Sequence, residues 1–121
     1  MEKNKKKYNV EIVEAKGACD SEIFKKMASR GDIQADKVAD NIDKVIRLTG
    51  YAVCHVTTSE KEFDMNYYST DTGMLASGSQ FFKESVEDYY GDIDTFKIVS
   101  IKTKKGTTYK VTPVLVNAEE E

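Results

Sequence analysis

The chain has no tryptophan, one proline, one histidine and two cysteines. Cys19 and Cys54 lack CxxC spacing, and one histidine cannot complete a common zinc set, so no metal site is expected. Both cysteines read as reduced thiols of a cytosolic protein, with Cys54 in the core. No apolar run approaches the roughly 20 residues that cross a bilayer, so no membrane segment is expected. The lysine-rich start, Met1 to Lys7, leads into no apolar core of a signal peptide. No P-loop, GxSxG or HExxH is present, and the pairs Asp40/Asp43 and Glu87/Asp88 suit plain solvation. The sequence therefore predicts neither an enzyme nor a cofactor. With 32% charged residues and so little proline, its 121 residues suit one soluble globular domain.

Charge is unevenly placed. The net charge is −3, yet residues 96–116 carry five lysines and no acid. Residues 17–95 hold eight basic and fifteen acidic side chains, and Glu119 to Glu121 end the chain. A local basic field can bind anions on an acidic protein.

Periodicity gives the element order. Tyr8, Val10 and Ile12 alternate with polar residues, as in a strand. Ser21 can cap a short helix with Ile23, Phe24 and Met27 on one face, stopped by Gly31. Residues 32–44 fit helix or loop. From Val45 the period becomes two: Ile46, Leu48, Ala52, Cys54 and Val56 form one face, with Gly50 allowing a bend. Arg47, Tyr51 and His55 belong to the other face. Phe63, Met65 and Tyr67 alternate with polar partners, and Asp71-Thr72-Gly73 marks a tight turn into Met74-Leu75-Ala76. Ser77 and Gln80 fit a capping box for a helix near 79–90, with Phe82, Val86 and Tyr89 on one stripe and Gly91 at its end. Phe96–Thr103 and Thr108–Val116 read as a hairpin around Lys104-Lys105-Gly106-Thr107, with Pro113 on an edge.

The order strand, strand, strand, helix, strand, strand suits an OB-type, five-stranded antiparallel Greek-key barrel, mainly β, with its helix between strands three and four. Ile46, Leu48, Val56, Phe63, Val99 and Val111 are its expected interior. Residues 1–116 read as one OB-like domain, with 8–44 as an N-terminal extension and 117–121 as an acidic tail.

Two constellations could carry binding. Arg47, Tyr51 and His55 stand at i, i+4 and i+8 on one strand face, with Tyr68 on the next strand. A cation among flat rings suits phosphates with unstacked bases. The alternative is a set of ordinary half-exposed strand residues. Second, Lys97, Lys102, Lys104, Lys105 and Lys110 surround a hairpin that could follow a phosphate backbone, or could only guard an edge against aggregation. The aromatic helix stripe reads as a barrel plug.

Specific runs also resemble a family. They are Ile42-Asp43-Lys44-Val45-Ile46 into Thr49-Gly50-Tyr51-Ala52-Val53, Ser77-Gly78-Ser79 before a helix ending Tyr90-Gly91, and Ile101-Lys102-Thr103-Lys104-Lys105-Gly106-Thr107-Thr108-Tyr109-Lys110-Val111. Over roughly residues 36–116 the chain is similar to the OB-fold single-stranded DNA-binding proteins of tailed phages infecting Gram-positive bacteria. The resemblance implies a sequence-tolerant coat for single-stranded DNA in phage replication or recombination. It also implies homodimers or larger assemblies, contact with replication or recombination proteins, and residence in the host cytoplasm. Tyr51, Tyr68 and the lysine hairpin would then contact DNA. The chain departs from the family in its net acidity, its lack of tryptophan and a tail without a hydrophobic tip. The competing expectation is a phage protein-interaction or structural module that uses the barrel without nucleic acid.

Overall fold

In the computed structural model, which describes residues 9–115, the longest extended stretch is the strand to which most others attach. In chain order the elements are β1 (Asn9–Gly17), a 3-10 turn (Ala18–Asp20), α1 (Glu22–Ser29), β2 (Asp36–Lys37), a second 3-10 turn (Val38–Asn41), β3 (Val45–Thr57), β4 (Glu62–Thr70), β5 (Gly73–Ser77), α2 (Gln80–Glu87), β6 (Thr95–Thr103) and β7 (Gly106–Pro113). The fold is mainly β, one sheet curled into a half-barrel. Tyr8 and the acidic run Glu119 to Glu121 lie outside the described residues.

The spine β3 serves three neighbours. One edge pairs with β4 from Leu48↔Thr70 to Thr57↔Glu62. The other is shared: Val45–Arg47 pair with β6, and Gly50–Thr57 pair with β1. The sheet order is β2-β5-β4-β3-β6-β7, with β1 beside the C-terminal half of β3. Closure differs from the expected five-stranded antiparallel barrel. No ladder joins β5 to β7 among the described residues, and the outer edge of β5 takes Asp36–Lys37 in parallel. The segment 32–44, open between helix and loop from sequence, supplies that short strand and the 3-10 turn that buries Val38.

A β-bulge decides which side chains reach the core. Between Leu48 and Gly50, β3 carries one residue more than β4. An extra residue flips the alternation beyond it. Ile46 and Leu48 therefore share a core with Tyr51, while Ala52 and Cys54 enter a second one. The first core is filled from α2 by Phe82 and Val86, each about 1% exposed. Burying one such side chain contributes about 1.5–3 kcal/mol. The second core packs Cys19, Phe24 and Ala28 on the opposite face of β3.

The flip corrects the expected interior. Ile46, Leu48 and Val111 lie in the first core. Val56 is buried but follows the alternation of Ala52 and Cys54, away from it. Phe63 and Val99 are only half-buried; in β6 it is Phe96 and Ile98 that point inward.

Both helices are capped by serine. Phe24 donates its N–H to Ser21 Oγ at 3.1 Å, as the sequence predicts. On α1, however, Phe24 and Ala28 face the core while Ile23 and Met27 are exposed. The cap of α2 is Ser79, whose Oγ accepts from Phe82 N at 3.1 Å; Ser77 instead accepts from Ser79 N in the preceding turn.

Candidate nucleic-acid interface

The β6–β7 hairpin is built on a short turn. Thr103 Oγ1 donates to Gly106 O at 2.8 Å and accepts from Lys105 N at 3.2 Å. Gly106 holds a φ of 129°, which a side chain would strain. This turn presents Lys104 and Lys105 at the tip, both exposed.

Strand register sorts the remaining lysines. Ile98 and Val111 are opposite each other and point inward. Alternation continues that face to Lys102, Thr107 and Tyr109. Lys97 and Lys110 lie on the other face, where Lys110 opposes Val99. Lys110 stands apart. It is half-buried beside α2, in a groove of about 220 Å³ that Glu84 and Asp88 also line. The basic residues thus wrap the hairpin rather than form one plane. None of the five makes an ion pair among the described residues.

The other predicted constellation is not assembled. Arg47 donates from Nε to Asp94 Oδ2 at 3.0 Å. That bond, with a second from the Thr95 hydroxyl, lowers the Asp94 carboxyl below its usual range. His55 lies between two β4 carboxylates, with Nδ1 2.9 Å from Asp64 Oδ1 and Nε2 3.0 Å from Glu62 Oε1. Only the imidazolium can donate at both nitrogens. The bond to Asp64, then that to Glu62, accordingly raises the His55 pKa. Both cations are already neutralised.

Tyr51 and Tyr68 correct the sequence reading most directly. They are 3% and 1% exposed. Their rings stack at 6.4 Å between centroids, Tyr90 meets Tyr51 edge-on at 5.0 Å, and Phe82 meets Tyr68 edge-on at 5.1 Å. The bulge turns Tyr51 inward, and α2 covers what would have been an open face. Burial pushes the Tyr51 hydroxyl up to about 12 and raises that of Tyr68 as well. Neither ring is open to a base.

The carboxylate partners were within reach of the sequence. A four-residue turn at 58–61 fixes His55 opposite Asp64 and Thr57 opposite Glu62. The same turn places Lys61 with its ammonium 5.2 Å from the centre of the Phe63 ring, a contact that alternation alone does not reveal.

No family model, curated protein or solved structure matches the chain.

Proposed function

We propose that this chain is a non-catalytic, sequence-tolerant binder of single-stranded DNA that captures phosphates with its β6–β7 hairpin. The observation that carries the reading is the set of five lysines without ion-pair partners among the described residues, in a stretch, 96–116, that contains no acid. Among the described residues Lys26, Arg30, Lys37, Lys44 and Lys61 also lack an ion pair, but they are spread through the acid-rich stretch 17–95, whereas the hairpin gathers its lysines where the sequence has no acid. Such charge binds a polyanion by releasing its counterions, without reading bases.

The topology supports an OB-type reading. The order β3-β4-β5-α2-β6-β7 and the pairing of β3 with both β4 and β6 suit that barrel, with β1, α1 and β2 added to it. In OB folds the loop between the last two strands is one of the oligonucleotide-binding elements, and here it is the lysine turn. Following the family resemblance, we place the activity in phage DNA replication or recombination, in the host cytoplasm, as a homodimer or larger assembly working beside replication or recombination proteins.

A second reading, a protein-interaction module, draws on exposed apolar groups: Ile23 is 73% exposed, Phe81 48% and Leu115 76%. Fluorescence anisotropy with labelled oligo-dT separates the two. The DNA reading expects tight binding at low salt that weakens as salt rises. No binding at low salt would leave the interaction module.

A further inference from the structure

Burial of Tyr51 and Tyr68 leaves the hairpin without an aromatic platform on the face where the sequence puts one. The opposite face of β4 holds a different one. Phe63, Met65 and Tyr67 alternate with Glu62, Asp64 and Asn66, so they share the side that α1 overhangs. Between that side and α1 lies a cleft of about 210 Å³. Val10, Ala28, Ile33, Phe63, Met65 and Tyr67 line it, and no lining side chain is charged.

We propose that this cleft receives one pyrimidine base of the bound strand, with Phe63 as the stacking ring and Lys61 as the contact for the adjoining phosphate. The proposal rests on the single-strand reading above.

Three features argue for it. The first is size. An apolar cavity of about 150 Å³ accepts a benzene ring, so this cleft has room for a thymine with its methyl group. The second is charge. The carboxylates flanking Phe63, Glu62 and Asp64, point to the other face and are bound by His55, and Glu60, beside Lys61 in the turn, is exposed to solvent rather than part of the cleft lining. Lys61 has no ion-pair partner among the described residues and rests against the Phe63 ring. A base arriving on that ring displaces the ammonium toward the phosphate. The third is position. Phe63 follows the β3–β4 turn, the other loop that OB folds use for oligonucleotides, and β4 belongs to the face they use. The cleft wall comes from outside the barrel strands, from β1, α1 and Ile33, which precede them in the chain.

The test uses the full chain and a labelled oligo-dT of about 16 nucleotides, the upper site size of one OB fold. Phe63→Ala should weaken binding at least about fivefold, the low end for loss of one stacked base, while Phe63→Tyr binds like wild type. Lys61→Ala should flatten the salt slope by about 0.7, one single-strand phosphate contact. The chain has no tryptophan, so Phe63→Trp supplies a unique fluorophore even if Phe63→Ala fails to fold. Its emission should be quenched by saturating oligo-dT. Unchanged Phe63→Trp emission when anisotropy shows the oligonucleotide bound overturns the cleft. If Lys104→Ala/Lys105→Ala weakens binding and Phe63→Ala does not, the cleft is overturned and the hairpin reading stands. If wild type binds no oligo-dT at low salt, both fall.

Discussion

Gly17 and Gly50 face each other across β1 and β3, and neither has room for a side chain. A Cβ on Gly50 would run into the Ala18 nitrogen and the Lys16 carbonyl. A Cβ on Gly17 would meet Thr49 O and the Tyr90 hydroxyl, and Gly17 also holds a φ of 61°. This close approach lets the chain leave β1, cross the bulge of β3 and begin the turn that buries Cys19. The same bulge sends Tyr51 inward.

Gly50→Ala should therefore destabilise the fold by about 1–3 kcal/mol, the range for a forced overpacking. At roughly 4 °C or more per kcal/mol for a domain near this size, the loss is visible in a melt followed by far-UV circular dichroism. An unchanged melting temperature would mean that β1 and β3 are not this close.

Tyr51→Ala should act on stability before it acts on binding. Removing a buried aromatic ring costs about 3–5 kcal/mol, read as a lower midpoint in urea. Tyr51→Phe should keep its oligo-dT affinity. A Tyr51→Ala protein as stable as wild type but defective in binding would restore the exposed stacking face that the structure removes.

The His55 imidazolium gives a pH signature. Its folded pKa is raised above the ordinary 6.5 by Asp64 and Glu62, with Glu11 opposite it on β1. A raised folded pKa means the charged form is favoured on folding. That stabilisation is complete below the unfolded value and fades as pH rises through the folded one. Relative to His55→Gln, wild type should lose stability as pH climbs above about 6.5. The chain's single histidine also lets its NMR titration report the folded pKa directly. A midpoint at or below 6.5 would break the carboxylate bridge.

Cys19 and Cys54 are both 0% exposed, and burial pushes each thiol up to about 11. The thiolate is the reactive form. Both should resist Ellman's reagent at pH 8 in the native protein and react promptly once unfolded. Rapid native reaction of either would show that the second core opens.

The sequence was legible at the tight turns and along the α2 stripe, though not at the α2 cap, where Ser79 rather than Ser77 accepts from the helix, nor on α1, whose Ile23 and Met27 are exposed. Asp71-Thr72-Gly73 and Lys104-Lys105-Gly106 turn the chain as their residue types require, and the apolar stripe of α2 places Phe82 and Val86 inward. It misled where one residue changes a phase. Gly50 was readable as a bend, but alternation cannot show that Thr49 is the extra residue of a bulge, so Tyr51 and Ala52 exchanged sides. Nor does amphipathicity reveal a strand covered on both faces, as β3 is by α2 and by the Cys19–Phe24–Ala28 cluster. For the site, the hairpin lysines followed from composition. The neutralisation of Arg47 by Asp94, 47 residues away, is tertiary and had no local signal.

The hairpin as a phosphate clamp is tested most directly by the salt dependence of oligo-dT binding. Log affinity should fall linearly with log salt for wild type. Lys104→Ala/Lys105→Ala should flatten that line by about 1.4, two contacts at about 0.7 each. A double variant with the wild-type slope would place the phosphates elsewhere and contradict the account.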